Sequence, residues 1–168
     1  TGWPLIKETA DFWTSRVERK SPGHFEINNV VAADEWAENV DNNAFTNAAA
    51  IANLQAATKA ANLLGMKVNP DWDYVANNIP ILTMPDTQRE SSGVTREHAS
   101  YQGEGIKQAD VNLLAYPLKT ITNKEQVKKD LDYYSKRVPN QGTPAMTQAI
   151  FALLKEITIF LGKTLSYI

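Results

Sequence analysis

Apolar positions along the chain recur mostly at helical spacing, and polar breaks rich in proline and glycine separate them. Residues 4–18 read as a first helix. Pro4 suits its opening turn, and Leu5, Thr9, Phe12, Trp13, Arg16 and Val17 fall near one face. S-P-G at 21–23 ends this element, and H-F-E-I-N-N-V-V alternates as a short strand. A long helix dense in alanine is expected from Asn42 or Asn43 to Gly65, a residue suited to the left-handed position after a helix. Its small side chains let neighbouring helices come close. A shorter helix starts at Pro70, and I-P-I-L-T is a brief extended piece.

From Met84 to Gly105 the pattern loses its period, and a polar segment of that length inside a domain is a candidate for function. Glu90, Glu97, His98, Tyr101 and Glu104 lie in it; each can touch a ligand or simply face solvent. The apolar set Ile106, Ala109, Val111, Leu113 and Leu114 then predicts a buried helix stopped before Pro117. Lys107, Gln108 and Asp110 open it, either as groups that need buried partners or as an exposed first turn. Residues 123–138 form an amphipathic helix with Asn123 and Gln126 as a capping box and Val127, Leu131, Tyr134 and Val138 as its buried stripe. Thr143-Pro144 introduces a last helix carried on by K-E-I-T-I-F-L-G-K-T-L-S-Y-I. The sum is five or six helices and at most two short strands, a mainly α chain.

Composition narrows the partners. A chain of 168 residues is long enough for one domain with a real core. The net charge of -2 gives no electrostatic reason to expect nucleic acid or an anionic membrane. No apolar run reaches the length of a bilayer span. Without cysteine there is no disulfide framework, and the two histidines, His24 and His98, are too far apart to suggest a zinc site. No metal and no cofactor are expected.

One stretch breaks the helical pattern in a chemically suggestive way: A-D-E-W-A-E-N-V-D-N-N-A-F-T-N-A-A at 33–49. It holds carboxyl groups that can move a proton, amides that can hold hydroxyls, and Trp36 and Phe45 to cover an apolar sugar face. Asp34, Glu35, Glu38 and Asp41 are the candidate acids. Adjacent residues cannot easily share a pocket, so one of Asp34 and Glu35 should point in while the other is structural. Glu35 beside Trp36 suits an acid whose pKa is raised by an apolar wall and nearby negative charge. The competing reading is compensation of the helix dipole by solvated acids. Trp13 is a core tryptophan, as its periodicity favours, or a second pocket wall.

A33-D34-E35-W36 followed by V40-D41-N42-N43-A44-F45-T46-N47 resembles the acid segment of glycoside hydrolase family 65. T-A-D-F-W at 9–13 and S-R-V-E at 15–18 resemble the usual lead-in of the family, and Ala37, Y-P-L at 116–118, and D-L-D-Y-Y followed by P-A-M-T-Q-A-I-F at 144–151 are similar to its acid-trehalase-like branch. I-K-Q-A-D-V at 106–111 resembles the Lys-Gln segment of the family. The resemblance runs from about Gly2 to Leu153. It implies an (α/α)6 barrel, an inverting mechanism and an α-linked glucosyl disaccharide such as trehalose or kojibiose as substrate. Glu35 carries over as general acid, with sugar contacts from Lys107 and Gln108. Trp36, Asn43 and Trp13 complete the candidate substrate-binding set. Pro144-Ala145 stands where phosphorylases of the family carry a Ser-Ser pair for phosphate, which favours water as nucleophile. Departures remain, such as Ala33 in place of the usual proline. A disaccharide phosphorylase, or a helical sugar-binding or interaction fragment, are the alternatives. About twelve barrel helices need on the order of 200 residues or more. The chain is therefore expected to be one segment, 1–168, of a catalytic domain incomplete at both ends. Its base would lie elsewhere, and its uncovered helix faces would favour self-association or a complementing C-terminal half.

Overall fold

The computed structural model describes residues 2–86, 90–139 and 141–163; the side chains of 159–163 lie outside that description, as does the expected continuation of the last helix to 168. Among the described residues the order is α1 (Trp3–Arg16), β1 (Glu18–Ser21), β2 (His24–Glu26), α2 (Ala44–Leu64), α3 (Pro70–Ala76), a 3₁₀ turn (Val111–Leu114), α4 (Lys124–Tyr134) and α5 (Ala145–Lys163). No described helix is long and apolar enough to cross a membrane.

Helix α2 is the spine. Asn43 caps its start by accepting from Thr46 N, and Gly65 closes it at φ 64°, a left-handed conformation that costs glycine nothing. The C-terminal half of α2 packs against α1 and α3 in a core of Ala10, Phe25, Ile27, Leu54, Ala57, Ala61, Trp72 and Val75. Its N-terminal end meets a second core, in which Ala44 and Ala48 join Tyr101, Ile106, Leu114, Leu131, Tyr134 and Leu154 from the central loop, α4 and α5. Alanine along α2 is what lets both layers approach one helix.

Several expectations are corrected. Leu5 and Phe12 are exposed; α1 packs through Trp3, Ile6, Ala10, Trp13 and Val17, a stripe rotated from the one expected. The break after α1 is an antiparallel hairpin in which Glu18 pairs with Glu26 and Arg19 with Phe25, so E-R-K-S is a strand that its polar composition hid. Helix α4 stops at Tyr134 instead of reaching Val138. Asn123 caps α4 through Glu125 N and Gln126 N, but Gln126 turns away to Gly93 O and Asp130 Oδ1 instead of closing the capping box.

The largest correction concerns 106–116. Only Val111–Leu114 is helical, as a single 3₁₀ turn, and 106–110 is an irregular buried loop. Side-chain oxygens supply the partners that helical bonds would have given this loop: Asp34 accepts from Lys107 N and Gln108 N, and Thr147 Oγ1 from Ala109 N. The 84–105 segment is also pinned. Met84 N donates to Val94 O, Arg96 N to Leu82 O, and Thr95 gives both its N–H and its hydroxyl to the buried carboxylate of Asp130.

Candidate active site

Two loops meet at the start of α2: the acid loop 33–37 and the loop 106–110. They are joined by hydrogen bonds through two buried carboxylates and Gln108. Asp34 is buried, and its Oδ1 accepts from Lys107 N at 2.9 Å, Gln108 N at 3.3 Å and Trp36 N at 3.2 Å. Asp110, also buried, reaches the other way. Its Oδ2 accepts from Ala33 N at 2.9 Å and Asn43 Nδ2 at 3.0 Å, and its Oδ1 from Phe45 N at 3.3 Å. Burial pushes the Asp110 carboxyl up to about 6, and its hydrogen bonds to Asn43, Phe45, Ala33 and Asp34 pull in the opposite direction.

Glu35 stands on this frame with its side chain 59% exposed. Its N–H donates to Gln108 Oε1 at 3.1 Å, and its carboxylate meets Lys107 Nζ at 2.5 Å. One of the adjacent acids is thus buried and structural, Asp34, and the other, Glu35, is presented outward. The expected pKa is corrected, however. The hydrogen bond from Lys107 holds Glu35 below the usual glutamate range, with Gln108 and the Lys107 charge acting the same way. The apolar wall expected to raise it is not wrapped around its carboxyl group: Trp36 is itself 58% exposed.

Beside the acid loop lies a cavity of about 200 Å³ whose lining includes Asp34, Trp36, Glu38, Glu97, His98, Tyr101 and Glu104, but not Glu35. The 84–105 segment therefore contributes four of its five candidate residues to this cavity; Glu90 lines a separate depression against α4. Glu97 is the residue that sequence reasoning undervalued. It is 1% exposed, its two carboxyl oxygens find no hydrogen-bond partner among the described residues, and burial aided by Asp110 and Asp34 pushes its pKa up to about 9. It is a neutral acid at pH 7. Its backbone carbonyl does separate work, accepting from Ala44 N and Asn43 Nδ2 at the start of α2.

Other candidates fall outside the site. Asn43 is fully buried; its oxygen caps α2 and its amide donates to Glu97 O and Asp110 Oδ2, so its side chain has no face left for a sugar. Asn42 and Asn47 are buried as well, and Asn47 Nδ2 donates to Pro80 O at 2.9 Å. Asn39 and Asn42 adopt positive φ, at 54° and 52°. The asparagines read as hydroxyl holders are instead caps, turn formers and buried links, roles that asparagine fills for its short amide and its tolerance of the left-handed region. Phe45 packs on the core, and Trp13 packs with α1 on the opposite core with its ring edge-on to Phe12. Neither lines the cavity. Asp41 accepts from Asn29 N at 2.9 Å. Among the described residues no group of three or more acids and histidines could hold a metal ion.

A mainly helical segment thus presents an outward carboxylate on a loop propped by a second loop at the start of α2. The chain belongs to glycosyl hydrolase family 65: residues 1–104 match the model of that family's central catalytic domain. It is 67% identical over 153 residues to a kojibiose hydrolase from Mucilaginibacter mallensis, covering 91% of this chain and 22% of that relative. It is 40% identical over 156 residues to a periplasmic acid trehalase from Saccharomyces cerevisiae, covering 90% of this chain and 12% of that relative. In structure it is similar to a putative kojibiose phosphorylase from the human microbiome, with a TM-score of 0.72 at 15% identity over 95% of this chain and 27% of that one. The fold is mainly α and is that of part of an (α/α)6 barrel. The chain spans about a fifth of the length of the kojibiose hydrolase it matches.

Proposed function

We propose that the chain is the acid-bearing segment of an inverting glycoside hydrolase that releases glucose from an α-linked glucosyl disaccharide, with kojibiose the first candidate and trehalose the second. Glu35 is the general acid. The observation that carries this reading is the presentation of Glu35 itself: an exposed carboxyl on a loop whose backbone is fixed by a second loop, with Trp36 beside it as an apolar surface for a sugar ring. The high identity to a kojibiose hydrolase supports the substrate class. Pro144-Ala145, which offers no hydroxyl pair to a phosphate dianion, supports water as the nucleophile.

In an inverting reaction Glu35, protonated, gives its proton to the departing glycosidic oxygen as the C1–O bond breaks, while a base activates water on the opposite face of the ring. Lys107 holds the Glu35 carboxyl below the ordinary glutamate range. A sugar whose hydroxyls claim the Lys107 ammonium removes that lowering and makes protonation of the carboxyl easier. Lys107 and Gln108 thus serve both the Glu35 loop and the bound sugar. The exposed apolar side chains Leu5, Phe12, Met146, Leu153 and Ile157 suit contact with the rest of a barrel or with a second copy of the chain.

The test is turnover of kojibiose and trehalose by a full-length protein carrying this segment, with and without phosphate, following glucose and glucose 1-phosphate. Glucose release independent of phosphate is expected. Glucose 1-phosphate formed only with phosphate overturns the hydrolase reading in favour of phosphorolysis.

A further inference from the structure

Four of the five N–H groups of the acid loop have an identified acceptor. Ala33 N donates to Asp110 Oδ2. Glu35 N donates to Gln108 Oε1, Trp36 N to Asp34 Oδ1, and Ala37 N to Asp34 O. Two of these four acceptors come from 106–110, and that loop gives two N–H groups back to Asp34 Oδ1. The same loop then touches the functional end of Glu35 through Lys107. Asp110 is the one member that also grips α2, through Asn43 and Phe45 N, so it locks the acid loop to the spine. Behind it, Ala109 N donates at 3.1 Å to Thr147 Oγ1, a fully buried hydroxyl in the first turn of α5.

We infer that Asp110 is the positioning residue of Glu35, and that Thr147 braces it: a polar relay from α5 through the 106–110 loop sets where the carboxyl group stands. Neither side chain touches Glu35. Each acts through the backbone it holds. The inference rests on the proposed role of Glu35 for its catalytic meaning, but not for its geometry. A misplacement of about 1 Å at a reacting group can cost on the order of 100-fold in rate, so a brace two bonds away matters as much as a contact.

The experiment is a ¹³C-carboxyl NMR titration of Glu35, selectively labelled, in a full-length protein carrying this segment, in the parent and in Asp110→Asn, Thr147→Val and Thr147→Ser, with helix content followed by circular dichroism. In the parent the midpoint lies below that of an ordinary glutamate, because Lys107 is in place. In Asp110→Asn and Thr147→Val, with helix content kept, the midpoint is expected to rise toward the ordinary value as the loops separate and the ion pair is lost. Thr147→Ser keeps the hydroxyl and should restore the parent midpoint. The sign is informative. Asp110, held up to about 6, is already protonated where Glu35 titrates, so Asp110→Asn changes little charge there and a rise reports displacement. An unmoved or lowered midpoint in folded Asp110→Asn, together with an unmoved one in Thr147→Val, overturns the relay. Thr147→Val removes one hydroxyl at nearly constant volume, so it serves if Asp110→Asn does not fold. Turnover is read separately. If Glu35→Gln leaves kojibiose hydrolysis by the full-length protein intact, the acid assignment fails while the relay stands on the titration. If the acid assignment holds, Asp110→Asn should lower kcat about 10–100-fold with KM little changed.

Discussion

The two ends of α2 are built from opposite materials. At its C-terminal end, alanines pack against Trp72, Phe25 and α1, and the helix closes on a left-handed glycine with Leu63, Leu64 and Met66 exposed around it. At its N-terminal end Ala44 and Ala48 still enter an apolar core, but the start of the helix is ringed by Asn42, Asn43, Asn47, Asp34, Glu97 and Asp110, all buried. Apolar packing is cheap to form and tolerant of adjustment. Buried carboxyl groups are costly unless every lone pair is used, and in exchange they fix loops that no regular structure holds. The difference shows what each end is for. One end supplies stability, and the other spends part of it to hold Glu35 on an irregular loop.

The sharpest way to break the apolar end is Trp72→Ala. Trp72 is 1% exposed, edges onto Trp3 and donates its indole N–H to Asp11. Its loss should cost about 3–5 kcal/mol of unfolding free energy, read by urea denaturation. A loss below about 1 kcal/mol would mean that the α1–α3 layer contributes little. At the polar end Asn43→Ala deletes the α2 cap and strips partners from Glu97 O and Asp110. The expected cost is about 2–3 kcal/mol, more than a cap alone. A cost of only a few tenths would show that the end of α2 does not depend on this network.

Glu97→Gln should act in the opposite direction. The folded chain holds the Glu97 proton up to about 9, and the unfolded chain releases it near the ordinary glutamate value. Between those two pH values the folded state carries the extra proton, so stability falls as pH rises and levels off above 9. Glutamine removes that slope. Glu97→Gln should match the parent near pH 4 and exceed it by roughly 4–5 kcal/mol at pH 8. Parallel stability curves from pH 4 to 9 would contradict a neutral Glu97. The smallest effect belongs to Gly65→Ala, about 1 kcal/mol by thermal melting, since φ there is positive and nothing crowds the added methyl group.

Periodicity located the helices because their apolar faces are what the fold buries, and Asn43, Gly65 and Pro70 marked their ends correctly for local reasons. That Asp34 and Glu35 diverge was legible locally, but it is Asp34 that lines the cavity, whereas Glu35 stands exposed and is not among the lining residues. What stayed hidden was non-local. The loop 106–110 looked helical because Ile106, Ala109, Val111 and Leu114 are buried, but it is held by Asp34 and Thr147, acceptors distant in the chain. The Glu35 pKa was misread for the same reason: the sequence shows Trp36 beside it, and only the fold brings Lys107 there. Glu97 was one of five polar residues in an aperiodic stretch, and nothing local distinguishes the one whose carboxyl is sealed away.

The account stands most directly on Glu35 as proton donor to a leaving group. The decisive comparison is hydrolysis of kojibiose and of α-glucosyl fluoride by a full-length protein carrying this segment, before and after Glu35→Gln. Fluoride departs without a proton, whereas a sugar alkoxide needs one. The account predicts a loss of about 10²–10⁴ in kcat/KM on kojibiose with the fluoride nearly unaffected. Equal losses on both substrates, or none on kojibiose, would contradict it.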